Sequence, residues 1–136
     1  MRKLQAEYVN GTGARHLATL TELFAVRIRF FGNVLRELIP GASLDCCDLR
    51  AIACHTDSRT AYLRYVTGAV LGRRRDVPGI DVISCSEIVC RMPEPTGVDD
   101  PGKNNVYIEA DGELLGRLPA RMTMQPDALS LVVPVS

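Results

Sequence analysis

Asp111-Gly112-Glu113 is the triplet in this 136-residue sequence whose residue types and spacing most suggest chemistry. It lies between Asn105-Val-Tyr-Ile-Glu-Ala110 and Leu114-Leu-Gly116-Arg-Leu-Pro119, two runs that favour extended structure. Asp-Gly between such runs is a strong hairpin signal, because glycine accepts the positive φ of a tight turn. Two carboxylates one residue apart at a strand end can share one side of the backbone. There they can ligate a hard metal ion, or assist a hydroxyl that is a weak nucleophile by itself. The plain alternative is a solvated hairpin tip, since Asp-Gly is a favoured turn in any protein.

The elements that must position this triplet are mostly strands. Leu4, Ala6 and Tyr8 alternate with polar residues until Asn10-Gly-Thr-Gly13 breaks the run, which predicts a strand and a turn. Leu23 to Phe31 and Leu49 to Cys54 are rich in strand formers, with Pro40-Gly41 between them. Ile80 to Met92 predicts a long strand with Val82, Ser84, Ser86, Ile88 and Cys90 on one face. Pro93 to Lys103 is a loop by composition, followed by strands over 105–110, 113–118 and 120–133, the last divided near Pro126-Asp127. One helix is predicted over 57–71. Asp57 offers an N-cap, Tyr62, Tyr65, Val66, Ala69 and Val70 recur at helical spacing, and Gly72 offers a stop. The fold expected is mainly β, a two-sheet antiparallel β-sandwich with one crossover helix.

The C-terminal words taken together resemble one family. Asp111-Gly112-Glu113, Leu118-Pro119 and Pro126-Asp-Ala-Leu-Ser-Leu-Val-Val-Pro134 are similar to the C-terminal end of the diacylglycerol kinase/sphingosine kinase family, including the bacterial YegS-like lipid kinases. Upstream, Phe24 to Phe31, then Leu38-Ile-Pro40-Gly-Ala42-Ser-Leu44-Asp45, then Tyr62 to Arg74 resemble the preceding strand, turn and helix of that family. The likeness runs from about Leu20 to the end. The family's Gly-Gly-Asp-Gly-Thr phosphate loop does not occur in these 136 residues. The resemblance therefore implies one domain over residues 1–136, the lipid-facing C-terminal half of an ATP-dependent lipid kinase, without the N-terminal nucleotide-binding domain. The isolated chain would be inactive.

The same resemblance implies roles. Asp111 would deprotonate the lipid hydroxyl, and Glu113 would help hold magnesium and the ATP phosphates. ATP and Mg2+ would come mostly through the N-terminal kinase domain, which becomes a partner along with the lipid substrate and its membrane surface; a homodimer stays open. Bacterial members bind a structural magnesium at the turn matching Ala42 to Leu49, which makes Asp45 and Asp48 candidate metal ligands. Here Cys46-Cys47 stands where the family has Asp-Gly, and a thiol is a poor magnesium ligand. A plain solvated turn is the alternative. Two other functions remain: a stand-alone, non-catalytic β-sandwich that binds a lipid or a protein, and, through the shared domain plan of the NAD kinases, phosphorylation of a nucleotide.

Other residues carry less. Arg73-Arg74-Arg75 is the one dense basic run, placed either to compensate the helix dipole or to face anionic lipid. His16 and His55 lie in different turns, and Ser84, Ser86 and Ser130 lack the glycines of a nucleophile elbow. Five cysteines form no Cys-x-x-Cys pair and are expected to be reduced and mostly core-filling. Sixteen basic and sixteen acidic residues cancel, and there is no tryptophan, so neither a basic field nor a base-stacking surface points to nucleic acid. No apolar run is long enough to span a bilayer, and the N-terminus lacks a signal-peptide core. A soluble, cytoplasmic chain with at most peripheral membrane contact is expected.

Overall fold

The computed structural model describes residues 3–28, 38–73, 76–94, 105–125 and 128. Alternation produces the first hairpin: Leu4 and Ala6 on β1 (Leu4–Asn10) are buried while Gln5 and Glu7 are not, and β1 turns back as β2 (Arg15–Leu20). Asn10 makes that turn, its Oδ1 accepting from the Thr12 and Ala14 amides at 3.1 and 2.9 Å. The sequence predicts no strand at β2, whose residues are mostly exposed apart from buried Leu20 and half-buried Ala18. Its mixed polar run shows no period-2 signal; pairing with β1 makes it a strand.

After one residue, Thr21, the chain continues as β3 (Glu22–Val26). Then come β4 (Leu49–Cys54), α1 (Arg59–Val70) and the long β5 (Ile80–Arg91). The hairpin of β6 (Tyr107–Ala110) and β7 (Glu113–Arg117) follows, and β8 (Ala120–Thr123) comes after a cis Leu118-Pro119 bond. The main sheet runs β2-β1-β5-β4-β3, with β8 also on β5, and all pairings are antiparallel. β6 and β7 form a second antiparallel sheet. The architecture is mainly β, with one helix and two antiparallel sheets that do not close into a barrel.

β2 and β3 are adjacent in sequence yet at opposite ends of the strand order, so the main sheet curls until its edges approach at Thr21. The Thr21 amide donates to Cys54 O at 2.8 Å, and its hydroxyl lies 3.1 Å from Cys54 O, 2.9 Å from Thr56 O and 3.1 Å from the Tyr62 hydroxyl. Strands that bend from one sheet direction to another make such corners. Inside the curl sit Leu4, Ala6, Leu20, Ala51, Ala53, Cys85, Ile88 and Cys90, with Val106 and Leu118 from either end of the β6–β7 hairpin and Met122 of β8 packed against them. On the other face, Val26, Ile52, Cys54, Val77 and Ile80 pack with Tyr65 of α1 and with Ile39. Burying a side chain such as Leu20 or Ile88 contributes roughly 1.5–3 kcal/mol.

Two expectations change. β5 does not keep one face over its whole length: Val9 pairs Glu87 while Asn10 pairs Cys85, so Ser86 is an extra residue, a β-bulge. The bulge flips the parity, placing Cys85, Ile88 and Cys90 in the same core while Val82 is exposed. The helix begins later than Asp57. Ser58 is the N-cap, extended at φ −76° and ψ 111°, with its Oγ accepting from the Ala61 amide at 3.4 Å. Its other end is as expected: Gly72 takes φ 62°, and the Gly72 and Arg73 amides donate to Ala69 O and Gly68 O, a Schellman closure. Of the predicted helical face, Tyr65 and Ala69 are buried, while Val66 and Val70 face outward.

Candidate active site at the β6–β7 hairpin

Ala110 pairs with Glu113, which leaves Asp111-Gly112 as a two-residue turn. Their φ values are 52° and 84°, the two successive positive values of a type I′ turn, whose twist matches that of the flanking strands. Aspartate is among the few residues other than glycine that enter this region readily. The expected hairpin is therefore formed, with Asp111 at its tip and Glu113 as the first residue of β7. Both are exposed. A register shift between Ile108 and Glu109 bulges the hairpin, and the Arg117 guanidinium lies 5.5 Å from the Tyr107 ring centroid. Leu114 and Leu115 are 64% and 65% exposed, so the tip is flanked by uncovered apolar surface.

The hairpin overhangs a cavity of about 560 Å³. Leu4, Leu23, Cys90, Val106, Leu118 and Met122 are among its mostly apolar walls, and Asp111 and Gly112 line it from the hairpin tip. Glu113 is not among its walls. The carboxylate residues that line the cavity are thus Asp111 at the tip and Glu109 on β6, while Glu113 shares the turn but not the cavity. Cys90 adds no nucleophile: burial pushes its thiol up to about 11, so it is a neutral, apolar wall at ordinary pH. A group lodged here would keep an apolar portion against the sheet and a polar end beside the Asp111 carboxylate.

The second candidate pair lies apart from the cavity walls, in the turn that precedes β4. Asp45 is paired locally, its Oδ2 accepting from Ser43 Oγ at 3.3 Å and its amide donating to the same hydroxyl at 3.2 Å. Asp48 accepts from the Ser84 hydroxyl and meets Arg50 Nε at 3.1 Å. The backbone carbonyls of Leu44 and Cys46 both accept from Arg27, at 2.7 and 2.9 Å. As placed, these groups do not fit a shared divalent ion. Among the described residues, no group of three or more His, Cys, Asp or Glu side chains is arranged to hold one.

No family model matches the chain, and no curated protein matches it. The fold, however, has a solved counterpart. A crystal structure described as "a putative diacylglycerol kinase from Bacillus anthracis str. Sterne" superposes with a TM-score of 0.60 at 14% sequence identity. The match covers 94% of this chain and 42% of that one, so the chain spans less than half the length of its structural neighbour. At this identity the likeness is one of fold.

The structure also joins residues that the sequence kept apart. His55 Nε2 lies 3.2 Å from Asp81 Oδ2 and its Nδ1 3.2 Å from Thr19 O, because β4 and β5 pair Ala53 with Asp81. Only the strand register could have revealed that pair. His16 stacks on Tyr8, ring centroids 5.2 Å apart, and Asn10 Nδ2 lies 2.9 Å from its Nε2. Cys54, Cys85 and Cys90 are buried and free, Cys46 is half-buried and Cys47 exposed. Arg73 is exposed, while Arg74, Arg75 and the segment 129–136, including Ser130, lie outside the described residues. Among the described residues no helix is long and apolar enough to cross a membrane.

Proposed function

We propose that this chain is the lipid-facing half of an ATP-dependent lipid kinase of the diacylglycerol kinase kind, with Asp111 as the general base. The observation that carries the reading is the position of Asp111, an exposed carboxylate on a fixed I′ turn that also lines a mostly apolar cavity. An amphipathic alcohol suits that arrangement, its hydrocarbon against Leu4, Leu23 and Met122 and its hydroxyl at Asp111. The carboxylate takes the hydroxyl proton as the oxygen forms its bond to the γ-phosphorus of ATP; the bond to the bridging oxygen breaks and ADP leaves. ATP would be held by a nucleotide-binding half outside these residues. Magnesium would neutralise its phosphates, and Glu113, exposed on the same tip, is the residue assigned to it. The fold of the structural neighbour, and what its description says of that protein, support this reading.

The test uses the chain joined to its nucleotide-binding half, with a diacylglycerol as acceptor. Asp111→Asn keeps the turn and removes the base, so turnover should fall about a hundredfold or more with the fold intact. Glu113→Gln should raise the magnesium-ATP concentration needed for half-maximal rate. A parallel arm uses Ala110→Trp, which places an indole at an exposed cavity-lining position and should weaken uptake of a fluorescent acylglycerol. Normal turnover in Asp111→Asn would remove the catalytic role. If Ala110→Trp still weakened uptake, the non-catalytic lipid-binding module would be the surviving reading.

A further inference from the structure

The turn ahead of β4 is organised by two guanidinium groups. Arg27, the first residue after β3, reaches across to Leu44 O at 2.7 Å and Cys46 O at 2.9 Å, both from the same nitrogen. Arg50, paired with Val26 in the β3–β4 register, meets Asp48 at 3.1 Å. Its guanidinium also lies against Gly41, where a Cβ would come within 3.5 Å of Cζ. Two carbonyls aimed at one positively charged group is the arrangement by which a turn binds a cation. Here the positive charge is covalently part of the chain.

We propose that the Arg27 guanidinium is the built-in cation of this turn, so that residues 42–48 hold their shape without a divalent metal. This inference concerns the turn alone and does not depend on the lipid-kinase reading. A magnesium ion at Leu44 O and Cys46 O would have to displace charge-assisted hydrogen bonds and sit beside a like charge. It would also need further oxygens in near-octahedral positions. Asp48 is engaged by Arg50 and Ser84, and Asp45 by Ser43. The fixed charge also explains why Cys46-Cys47 is acceptable in the turn: Cys46 contributes its carbonyl, and neither thiol has to ligate a hard ion.

The experiment is thermal melting of the purified chain in EDTA and in millimolar MgCl2, with Mg2+ titration calorimetry alongside. For the wild-type chain, the two melting temperatures should coincide and the calorimeter should register no binding. Arg27→Met, which keeps the length of the side chain but neither charge nor donors, should lower the melting temperature by about 4 °C or more. Arg27→Lys, a point charge able to reach one carbonyl, should recover part of that loss. A wild-type melting temperature that rises with Mg2+ and falls with EDTA would overturn the proposal. So would an Arg27→Met chain that melts like wild type. If Arg27→Met does not fold, the comparison of wild type with and without Mg2+ still decides.

Discussion

At the scale of single residues, the positive φ values at Asp111 and Gly112 are what shape the hairpin tip. Asp111-Gly112 announces a tight turn because its backbone demand is local: both residues must take positive φ, and the sequence supplies the two residue types that do so cheaply. What the sequence could not say is that Asp111 lines a cavity and Glu113 does not, since that depends on walls from β1, β3 and β5 far away in the chain. The local demand makes a clean prediction. Nothing lies within 4 Å of where a Cβ would stand at Gly112, so a side chain there meets no crowding, only the strain of φ 84°. Gly112→Val should therefore cost about 1–2 kcal/mol. Asp111→Asn, which suits the same region, should cost less than about 0.5 kcal/mol. Urea denaturation midpoints check both. Equal midpoints for Gly112→Val and wild type would show that the turn does not hold its I′ form in solution.

At the scale of elements, turn and cap residues placed β1, β4, the end of α1 and the β6–β7 hairpin within a residue or two. The errors arose where tertiary pairing overrode local pattern. β2 carries no apolar alternation and exists because β1 pairs with it. The face of β5 departs from simple alternation because Ser86 is a bulge, and one inserted residue exchanges inside and outside for everything beyond it. The corner at Thr21 is likewise invisible in sequence, being a hydrogen-bonded junction with residues 33 to 41 positions away. The Thr21 hydroxyl has one proton for two carbonyls, so Tyr62, whose hydroxyl lies 3.2 Å from Thr56 O, must serve the second. Thr21→Val is close in shape but removes that half-buried hydroxyl, and should cost about 1–3 kcal/mol. Tyr62→Phe should cost less, because Thr21 can still donate. A double-mutant cycle should give non-additive losses, since the two hydroxyls share acceptors. Full additivity would mean that the corner network is not formed as described.

At the scale of the whole molecule, two apolar cores lie on opposite faces of one sheet, and both are built on β4 and β5. Ala51 and Ala53 belong to one core while Ile52 and Cys54 belong to the other, so neither face can come apart without breaking the strands that carry its counterpart. The buried thiols report on each face separately: Cys85 and Cys90 within the curl, Cys54 under the helix. Burial raises all three, Cys85 and Cys90 from 9.0 to about 11. A thiol whose value is raised by folding favours the folded state fully below pH 9, and that contribution is lost as pH climbs through 9 towards about 11. Stability should therefore fall over that window. The fall should be smaller in a Cys85→Ala/Cys90→Ala chain, although its core is weaker at neutral pH. Tyr8 and Tyr62, also raised by burial, add a loss of the same sign in both chains. Near neutral pH, a disulfide reagent added in increasing urea should modify exposed Cys47 at once and Cys46 soon after. Cys54, Cys85 and Cys90 should become reactive together, at the midpoint of the global transition. Earlier labelling of Cys54 would show the helix-covered face opening by itself, and that the shared strands do not couple the two cores.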